Sequence, residues 1–491
     1  MQFINLEKIH RQLIVLTWIA VLLFTIGCSV GSKYSPPDTE VPQMWKNSTA
    51  ISDICYKDYW WEVFNDPLLN SLEEEVLAKN YDLKIAFNKV QEARAVMKAA
   101  KAELYPQLYL NPFYNNEGVV YESYSDGVIV RAHEVLYLLP FNLSYEADLW
   151  GKIRSRYQAA RENWEGQIEA YNATMLILTA DLATVYFQLR TLDAHIDLLE
   201  LTIKNREKSL QINKSRYKSK IIDYSDVTRA NLEVSATLAQ YREIVRLRAE
   251  LENRLAILTG NPSSEFYFEH YPLQGSPPKI PVGIPSEVLL RRPDIAEAER
   301  LMAAEHSLVN VAYASFFPSL SLTGAAGFSS PHLRFFLTSY SRLWSFGARS
   351  SQMIFDAGRL SADLAIQEAR FREASAAYQQ QVLICLEEVE DALSNLESYA
   401  KEFDDVSDAV QWAKKTYRIA NNRYINGVTS YLDVVISEQE ELANQIVQNN
   451  LQGLRFVSTI QLIKVIGGGW ECNNDDNACN ENELSIESSD F

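Results

Sequence analysis

The sequence predicts a mainly α-helical protein with a small β part, organised as an internal tandem duplication. Three features of the sequence support this prediction. Matching residues recur at a nearly constant offset, long proline-free stretches carry apolar residues at helical spacing, and each copy contains two segments in which polar and apolar residues alternate.

The duplication is visible when the chain is compared with itself. Arg216 and Arg423 lie 207 residues apart (423 minus 216), and the residues around them match at the same offset over a long stretch. Closer to the N-terminus the offset becomes 212 residues, as between Pro106 and Pro318. The difference predicts a short insertion in the first copy, between Pro106 and Gly151, where a surface loop can absorb it.

Each copy contains three helical patterns with apolar residues at spacings of three and four. In the first copy they predict helices at residues ~71–104, 154–219 and ~223–258. In the second copy they predict helices at ~286–314, ~361–426 and ~429–465. The longest of these would extend for about 100 Å, and it can bury its apolar side only against antiparallel partner helices.

Between the first and second helix of each copy the period of the pattern changes to two. Phe141, Leu143 and Tyr145 alternate with polar residues, as expected for a strand with one face in lipid and the other in water. Strands are predicted at residues 107 to ~114, 135–146, ~319–328 and ~345–355. The stretch 115–133, with its glycines and charges, is predicted as an exposed loop.

The number of strands predicts the oligomeric state. Four strands of roughly 10 residues are long enough to cross a bilayer, but they cannot form a closed barrel without leaving edges in lipid. Three chains would together supply about 12 strands, which lies within the range of known membrane barrels. We therefore expect a homotrimer that shares one barrel.

The N-terminus has the features of a lipoprotein export signal. A positively charged start and an apolar run, Leu13–Phe24, precede Gly27 and Cys28. We expect residues 1–27 to be removed and Cys28 to carry diacylglycerol and an N-acyl chain, with no other cofactor. The alternative is an uncleaved anchor, since Leu13–Val30 approaches the ~20 residues that a spanning helix needs.

Composition and spacing exclude several classes of function. The formal charge of -18 and the pI near 4.9 argue against binding of nucleic acid, which rewards a basic surface. The sequence shows no spacing typical of a metal centre, a nucleotide loop or a catalytic triad, so an enzyme is not expected. Cys472 and Cys479 could close a short loop in an oxidising periplasm, Cys385 has the pattern of a buried position, and residues 471–491 are predicted to be a disordered acidic tail.

Two longer motifs give the chain a resemblance to a known family. Tyr59–Leu69 reads YWWEVFNDPLL, and Pro285–Ile295 reads PSEVLLRRPDI. With these motifs, the chain from Cys28 to about Trp470 resembles the TolC/NodT-type outer-membrane efflux factors, especially their lipoprotein branch. The resemblance implies a TolC-like trimer in which an outer-membrane β-barrel of about 12 strands, four from each chain, continues as a long periplasmic α-helical coiled-coil barrel.

The same resemblance implies a passive export duct for drugs or other small molecules, in the outer membrane of a Gram-negative-type cell. Its implied partners are a periplasmic adaptor, an inner-membrane pump of the RND type and outer-membrane lipid. Its implied divisions are a signal peptide at 1–27, a lipid-anchored strap at 28–70, two efflux repeats at 71–270 and 271–470, and the tail at 471–491. Two alternatives stay open, namely a channel for type I protein secretion and a coiled-coil scaffold lipoprotein without a pore.

The resemblance also implies a periplasmic gate, formed where the second helix of each copy turns into the third. Asp433 resembles an aspartate of the acidic ring at the constriction, and such a ring would respond to pH and divalent cations. Tyr424 and Asp226 resemble the partners of a hydrogen bond between helices that holds the gate shut. For the two aspartates, stabilisation of a helix N-terminus is an equally simple interpretation.

The turns of this gate contain Lys220, Asp223, Gly427 and Ser430. The chain departs from the family pattern at three of its positions. Thr429 stands where an arginine is expected, and the first copy has Lys220 in place of the glycine and Asp223 in place of the serine.

Two other motifs are interpreted as structural. Pro293 and Asp294 suit the start of a helix, where proline loses no hydrogen bond and a carboxylate faces the positive helix end. The Trp60-Trp61 pair is interpreted as part of a strap that packs on helices, rather than as a platform for a ligand.

Overall fold

The computed structural model describes residues 30–37, 41–46, 59–122, 129–280 and 285–468. The predicted signal peptide, the acidic tail, Cys28, Cys472 and Cys479 lie outside the described residues. The predictions made for them stay predictions.

The first copy contains, after a short 3₁₀ helix at Trp60–Phe64, the elements α1 (Pro67–Lys79), α2 (Tyr81–Ala102), β1 (Gln107–Leu110), β2 (Phe113–Glu122), β3 (Ile129–Ala147), α3 (Lys152–Lys218) and α4 (Tyr224–Leu258). The second copy contains α5 (Pro285–Arg291), α6 (Pro293–Ala314), β4 (Ser319–Ser330), β5 (Arg342–Ser351), α7 (Arg359–Ile425) and α8 (Tyr431–Val465).

The lengths of the helices repeat from one copy to the next. Helices α3 and α7 each have 67 residues, and α4 and α8 each have 35. Helices α7 and α8 begin 207 residues after α3 and α4, respectively (359 minus 152, 431 minus 224). Helix α6 begins 212 residues after α2 (293 minus 81). These are the two offsets found in the sequence.

The first helical pattern of each copy is interrupted, which the prediction of continuous helices missed. Asn80 separates α1 from α2, and its Oδ1 accepts hydrogen bonds from the backbone N–H groups of Asp82 and Leu83 at 2.8 and 3.1 Å. Its Nδ2 donates to the carbonyl oxygen of Leu258 at 2.8 Å, which joins the break to the end of α4. In the second copy Arg292 separates α5 from α6.

In the described part of the chain, five strands form one antiparallel sheet in which β1 and β2 both pair with β3, β3 with β4, and β4 with β5. The predicted loop at 115–133 is wrong, because β2 continues to Glu122 and β3 begins at Ile129. The β-branched and aromatic residues of this stretch favour strands and outweigh its glycines and charges. Strand β1 ends before Pro112 and β2 begins directly after it, because proline has no N–H group to donate to the partner strand.

The sheet has one apolar and one polar face, as the predicted alternation requires. One row of paired residues across the sheet contains Leu108, Leu143, Gly324 and Phe346. The neighbouring row, on the opposite face, contains Gln107, Ser144, Thr323 and Gly347. The side chains of Trp344 and Phe346 on β5 are 82% and 73% exposed in the single chain.

The described residues fall into two compact units. The first unit takes its residues from Met1–Asp38, Lys89–Ile168 and Glu297–Tyr378, and it contains the sheet. The second takes its residues from Thr39–Asn88, Glu169–Ala296 and Gln379–Phe491, and it contains the turns between α3 and α4 and between α7 and α8. Among the described residues, no helix combines the length and apolar character needed to cross a lipid bilayer.

The tryptophan pair belongs to the main core of the second unit. Trp60 and Trp61 are each 4% exposed and pack with Leu69, Tyr186 and Phe456. The indole Nε1 of Trp60 donates to the hydroxyl of Thr179 at 3.3 Å. A buried pair with these contacts supports the strap interpretation over the ligand platform.

Candidate functional site at the helical hairpin turns

The first turn joins α3 to α4, and the second turn joins α7 to α8. In the first turn Lys220 has a φ of 59°, and in the second Gly427 has a φ of 73°. Asp223 is the N-cap of α4 and accepts a hydrogen bond from the Ser225 N–H at 2.8 Å, which lowers the pKa of its carboxyl. Ser430 is the N-cap of α8, without a side-chain capping bond.

The two turns close with the same backbone hydrogen bonds. The Lys220 N–H donates to the Tyr217 carbonyl at 2.8 Å, and the Gly427 N–H donates to the Tyr424 carbonyl at 3.0 Å. One residue later, the Ile221 N–H donates to the Arg216 carbonyl and the Val428 N–H donates to the Arg423 carbonyl, both at 2.9 Å. This pattern requires a left-handed residue at the helix end, and the first copy places a lysine there.

Tyr424 is buried between the two hairpins, but its hydroxyl bonds to a different residue from the one expected. The hydroxyl donates to Asn213 Oδ1 on α3 at 2.9 Å, whereas the resemblance implied Asp226 as the partner. The Arg216 guanidinium lies 4.9 Å from the centre of the Tyr424 ring and donates to the Ile425 carbonyl at 3.5 Å. Burial raises the pKa of Tyr424, and Arg216 opposes that rise.

The sequence contains a weak signal for Asn213. It lies in a helical stretch where the equivalent residue of the second copy, 207 positions later, is Ala420. Asn213 is 1% exposed, so a polar side chain there needs a partner, and Tyr424 supplies the donor.

The two aspartates of the predicted gate both occupy the first turn of a helix, Asp226 in α4 and Asp433 in α8. Burial raises the pKa of Asp226, with Asp223 adding to the rise and Arg229 and Arg216 opposing it. The carboxylate of Asp433 is exposed and accepts a hydrogen bond from the hydroxyl of Thr429. Both positions suit stabilisation of a helix N-terminus, and the gate roles stay predictions.

A pair of tyrosines with tilted, contacting rings occurs in each hairpin. The rings of Tyr424 and Tyr431 lie 5.3 Å apart at 51°, and the equivalent Tyr217 and Tyr224 lie 5.3 Å apart at 53°. The second-copy pair is 8% and 5% exposed, because Ala230, Val434 and Val435 complete a small core around it. The first-copy pair is 43% and 56% exposed.

The Arg-Pro-Asp motif at the start of α6 is a structural junction. Arg292 binds both carboxylate oxygens of Asp294 at 2.9 and 2.5 Å, and its Nη1 donates to Glu388 at 2.6 Å and to the Val465 carbonyl at 3.2 Å. Burial opposes ionisation of Asp294, but hydrogen bonds from Arg292 and Gln381 hold its pKa below the usual range. The motif thus joins α6 to α7 and α8, which supports the structural interpretation over a catalytic one.

The described residues contain no cluster of His, Cys, Asp and Glu arranged to hold a metal ion. Cys385 is buried in α7, as its sequence pattern indicated, and burial raises the pKa of its thiol to about 11.

A family model described as outer membrane efflux protein matches residues 72–261 and 284–468 of the chain. The chain is 32% identical over 459 residues to the solvent efflux pump outer membrane protein SrpC of Pseudomonas putida, with 91% of this chain and 97% of that protein covered. It is 29% identical over 464 residues to the probable outer membrane lipoprotein SilC of Salmonella typhimurium, with 92% and 98% covered. Its fold is similar to that of the outer-membrane channel OprN, with a TM-score of 0.85, 28% identity, and 90% of this chain and all of that chain covered.

Proposed function

Because the chain belongs to the outer membrane efflux protein family, and is therefore a TolC-like efflux protein of the outer membrane, we propose that three copies form a passive export duct. The duct would receive drugs, solvents or other small molecules from a periplasmic adaptor and an inner-membrane pump. The observation that carries this proposal is the sheet, because its two edges have no partner strand among the residues that the structure describes.

Strand β5 forms one edge of the sheet, and β1 and β2 form the other, among the strands that the structure describes. Backbone groups left unpaired in a bilayer cost several kcal/mol each. The exposed Trp344 and Phe346 on β5 give this edge strand an apolar face suited to lipid. Pairing of each β5 with the β1 and β2 edge of the next chain would satisfy both edges. Because β1 and β2 follow each other along the same edge of β3, they fill one strand position, and three chains would form a barrel of about 12 strand positions.

The tyrosine pairs support the same arrangement. Within one chain, the first hairpin covers Tyr424 and Tyr431, but nothing in the described part of the chain covers Tyr217 and Tyr224 to the same degree. A ring in which first and second hairpins alternate would place the second hairpin of the next chain beside the exposed pair. Its burial would then resemble that of the covered pair.

We further propose that Cys28 carries the lipid anchor. The chain just after it is held on the first unit, where the Val30 N–H donates to the Trp150 carbonyl at 3.1 Å and Ser32 bonds to His306 at 2.9 Å. Trp150 stacks on Phe317 with ring centres 5.0 Å apart, and such aromatic side chains favour the membrane interface. The relative SilC is itself named a lipoprotein.

Conductance and mass measurements on the purified full-length protein test the proposal. We expect a complex of three chains in detergent and ion-conducting pores in planar bilayers. A stable single chain, or three chains without conductance, would contradict it.

Two adjacent residues of β5 provide a matched pair of variants for the sheet. Phe346→Lys places a charge on the apolar face and should lower assembly into lipid, at a cost of up to about 2–4 kcal/mol near the bilayer centre. Ser345→Lys places the same charge on the polar face and should assemble normally. Equal assembly of both variants would contradict the assignment of the two faces.

A further inference from the structure

A buried ionic cluster with an unequal number of charges lies between the two hairpins. It consists of Arg206 on α3, Glu233 on α4 and Glu438 on α8, here called the Arg206 cluster. The three side chains are 5%, 7% and 15% exposed, respectively. One cation therefore faces two carboxylates in a site that is largely closed to water.

The two carboxylates do not interact equally with Arg206. Glu233 Oε2 lies 3.0 Å from Arg206 Nη1, which also donates to the Glu233 carbonyl at 3.2 Å and to the Thr237 hydroxyl at 2.6 Å. Glu438 Oε2 lies 3.3 Å from Arg206 Nε, but the buried Nε and Nη2 form no hydrogen bond within the described part of the chain. Arg206 is thus firmly bound to Glu233 and only loosely paired with Glu438.

The surroundings of Glu438 offer little compensation for a second negative charge. The groups that face it are Arg206 from α3, Glu233 from α4, Tyr417 from α7, and Tyr431 and Glu441 from α8. Arg206 is the cation among them, while Lys414 and Arg418 act on Glu441 instead. Burial raises the pKa of Glu438, and the two neighbouring glutamates add to the rise that Arg206 opposes.

We propose that the Arg206 cluster binds one proton on Glu438, and that this proton controls how firmly the second hairpin is held against the first. With the proton bound, Arg206 and Glu233 form a balanced pair, and Gln439 Nε2 donates to Glu233 Oε1 at 2.8 Å across the hairpins. Without it, the site carries an uncompensated negative charge. Because the folded chain holds the proton more tightly than the unfolded chain, the attachment weakens as pH rises from about 4.3 through the raised pKa of Glu438.

The duplication makes this site asymmetric. At the offset of 207 residues, Arg206 corresponds to Ala413 and Glu438 corresponds to Asn231, although Glu233 keeps its counterpart in Glu440. The equivalent cluster would combine Ala413 and Glu440 of a second hairpin with Asn231 of a first hairpin, and it therefore lacks both the arginine and the titrating glutamate. Acid would strengthen the attachment of the two hairpins within one chain. The equivalent cluster has no glutamate that could take up the proton. This inference concerns one chain and does not depend on the proposed duct.

Hydrogen exchange on the full-length protein, measured between about pH 4.5 and 8 and corrected for intrinsic rates, tests the proposal. We expect peptides from the N-terminal half of α8 to lose protection as pH rises. Glu438→Gln, which stays neutral, should keep the protection seen at low pH over the whole range. Glu440→Gln lies two residues away on the same helix, is exposed, is not among the groups that face Glu438, and should behave as the wild type.

Infrared spectroscopy supplies a second readout that does not depend on how well the variant folds. The wild type should lose a protonated carboxyl band as pH rises through this range, and the band should be reduced in Glu438→Gln. Protection of α8 that is independent of pH in the wild type would overturn the proposal. The same slope in Glu438→Gln as in the wild type would overturn it as well.

Discussion

Lys220 and Gly427 occupy equivalent positions in the two hairpin turns, and both have a left-handed backbone, with φ of 59° and 73°. Glycine adopts this conformation without steric cost, whereas for most residues with a Cβ it costs roughly 1–2 kcal/mol. The first turn therefore stores strain that the second turn avoids.

Lys220→Gly is expected to raise the free energy of unfolding of the first hairpin by up to about 1 kcal/mol, because relief of backbone strain exceeds the added entropy of the unfolded chain. The reciprocal Gly427→Ala should lower that of the second hairpin by about 1 kcal/mol. A Cβ at Gly427 would contact no other atom, so the loss of stability in Gly427→Ala would report on backbone strain alone. Hydrogen exchange of the turn peptides measures both effects, and a loss of protection in Lys220→Gly would contradict the expectation.

The gate assignment predicts an effect on conductance. Tyr424→Phe removes the donor to the buried Asn213, which should weaken the contact between the hairpins by about 1–3 kcal/mol. Asp433→Ala removes the carboxylate of the predicted ring. Each variant should raise single-channel conductance or leak in planar bilayers.

Tyr217→Phe is the matched control for Tyr424→Phe, because the two tyrosines are equivalent in the duplication but the residue equivalent to Asn213 is Ala420, which has no side-chain acceptor. It should leave conductance at the wild-type level. Wild-type conductance in Tyr424→Phe and Asp433→Ala would remove the gate assignment from these residues.

The same substitution should have different effects in the two tyrosine pairs. Tyr431→Ala opens a cavity in the small core of the second hairpin and should lower the free energy of unfolding by about 3 kcal/mol. Tyr224→Ala should change the stability of the single chain by less than about 1 kcal/mol but should weaken the trimer. Native mass spectrometry and denaturant titration separate these outcomes, and a trimer as stable as the wild type in Tyr224→Ala would contradict the proposed contact between chains.

Glu73 on α1 predicts a dependence of stability on pH. Its side chain is fully buried, neither carboxyl oxygen has a hydrogen-bond partner among the described residues, and burial raises its pKa well above the usual range. The stability that the neutral form contributes is present at low pH and is lost as pH rises from about 4.3 through the raised pKa. Glu73→Gln should therefore flatten the curve of Tm against pH.

The neighbouring Glu74 is exposed and supplies the control. Glu74→Gln should follow the wild-type curve of Tm against pH. Parallel curves for the wild type and Glu73→Gln would show that burial of Glu73 does not limit stability.

Much of the fold could be predicted because the helices depend on local pattern. The sequence predicted helices at 154–219 and ~361–426, and the structure has them at 152–218 and 359–425. The extent of β2 and β3 was missed, because glycine and charge at 115–133 resemble loop signals until a partner strand provides the ladder. The hydrogen bond between Tyr424 and Asn213 joins residues 211 positions apart, and local pattern carries no information about such a pairing.

The sequence by itself determined the duplication, the length of the helices, the place of both turns and the two faces of the sheet, since periodicity and offset are properties of the chain. Tertiary structure alone decided which of two equivalent residues is covered. Tyr431 is buried, whereas its counterpart Tyr224 is exposed. Arg206 forms an ion pair with Glu233, whereas its counterpart Ala413 has no charge to pair. Burial and charge pairing depend on the neighbours that distant parts of the chain supply, and two copies of one sequence pattern acquire different neighbours when they pack against each other.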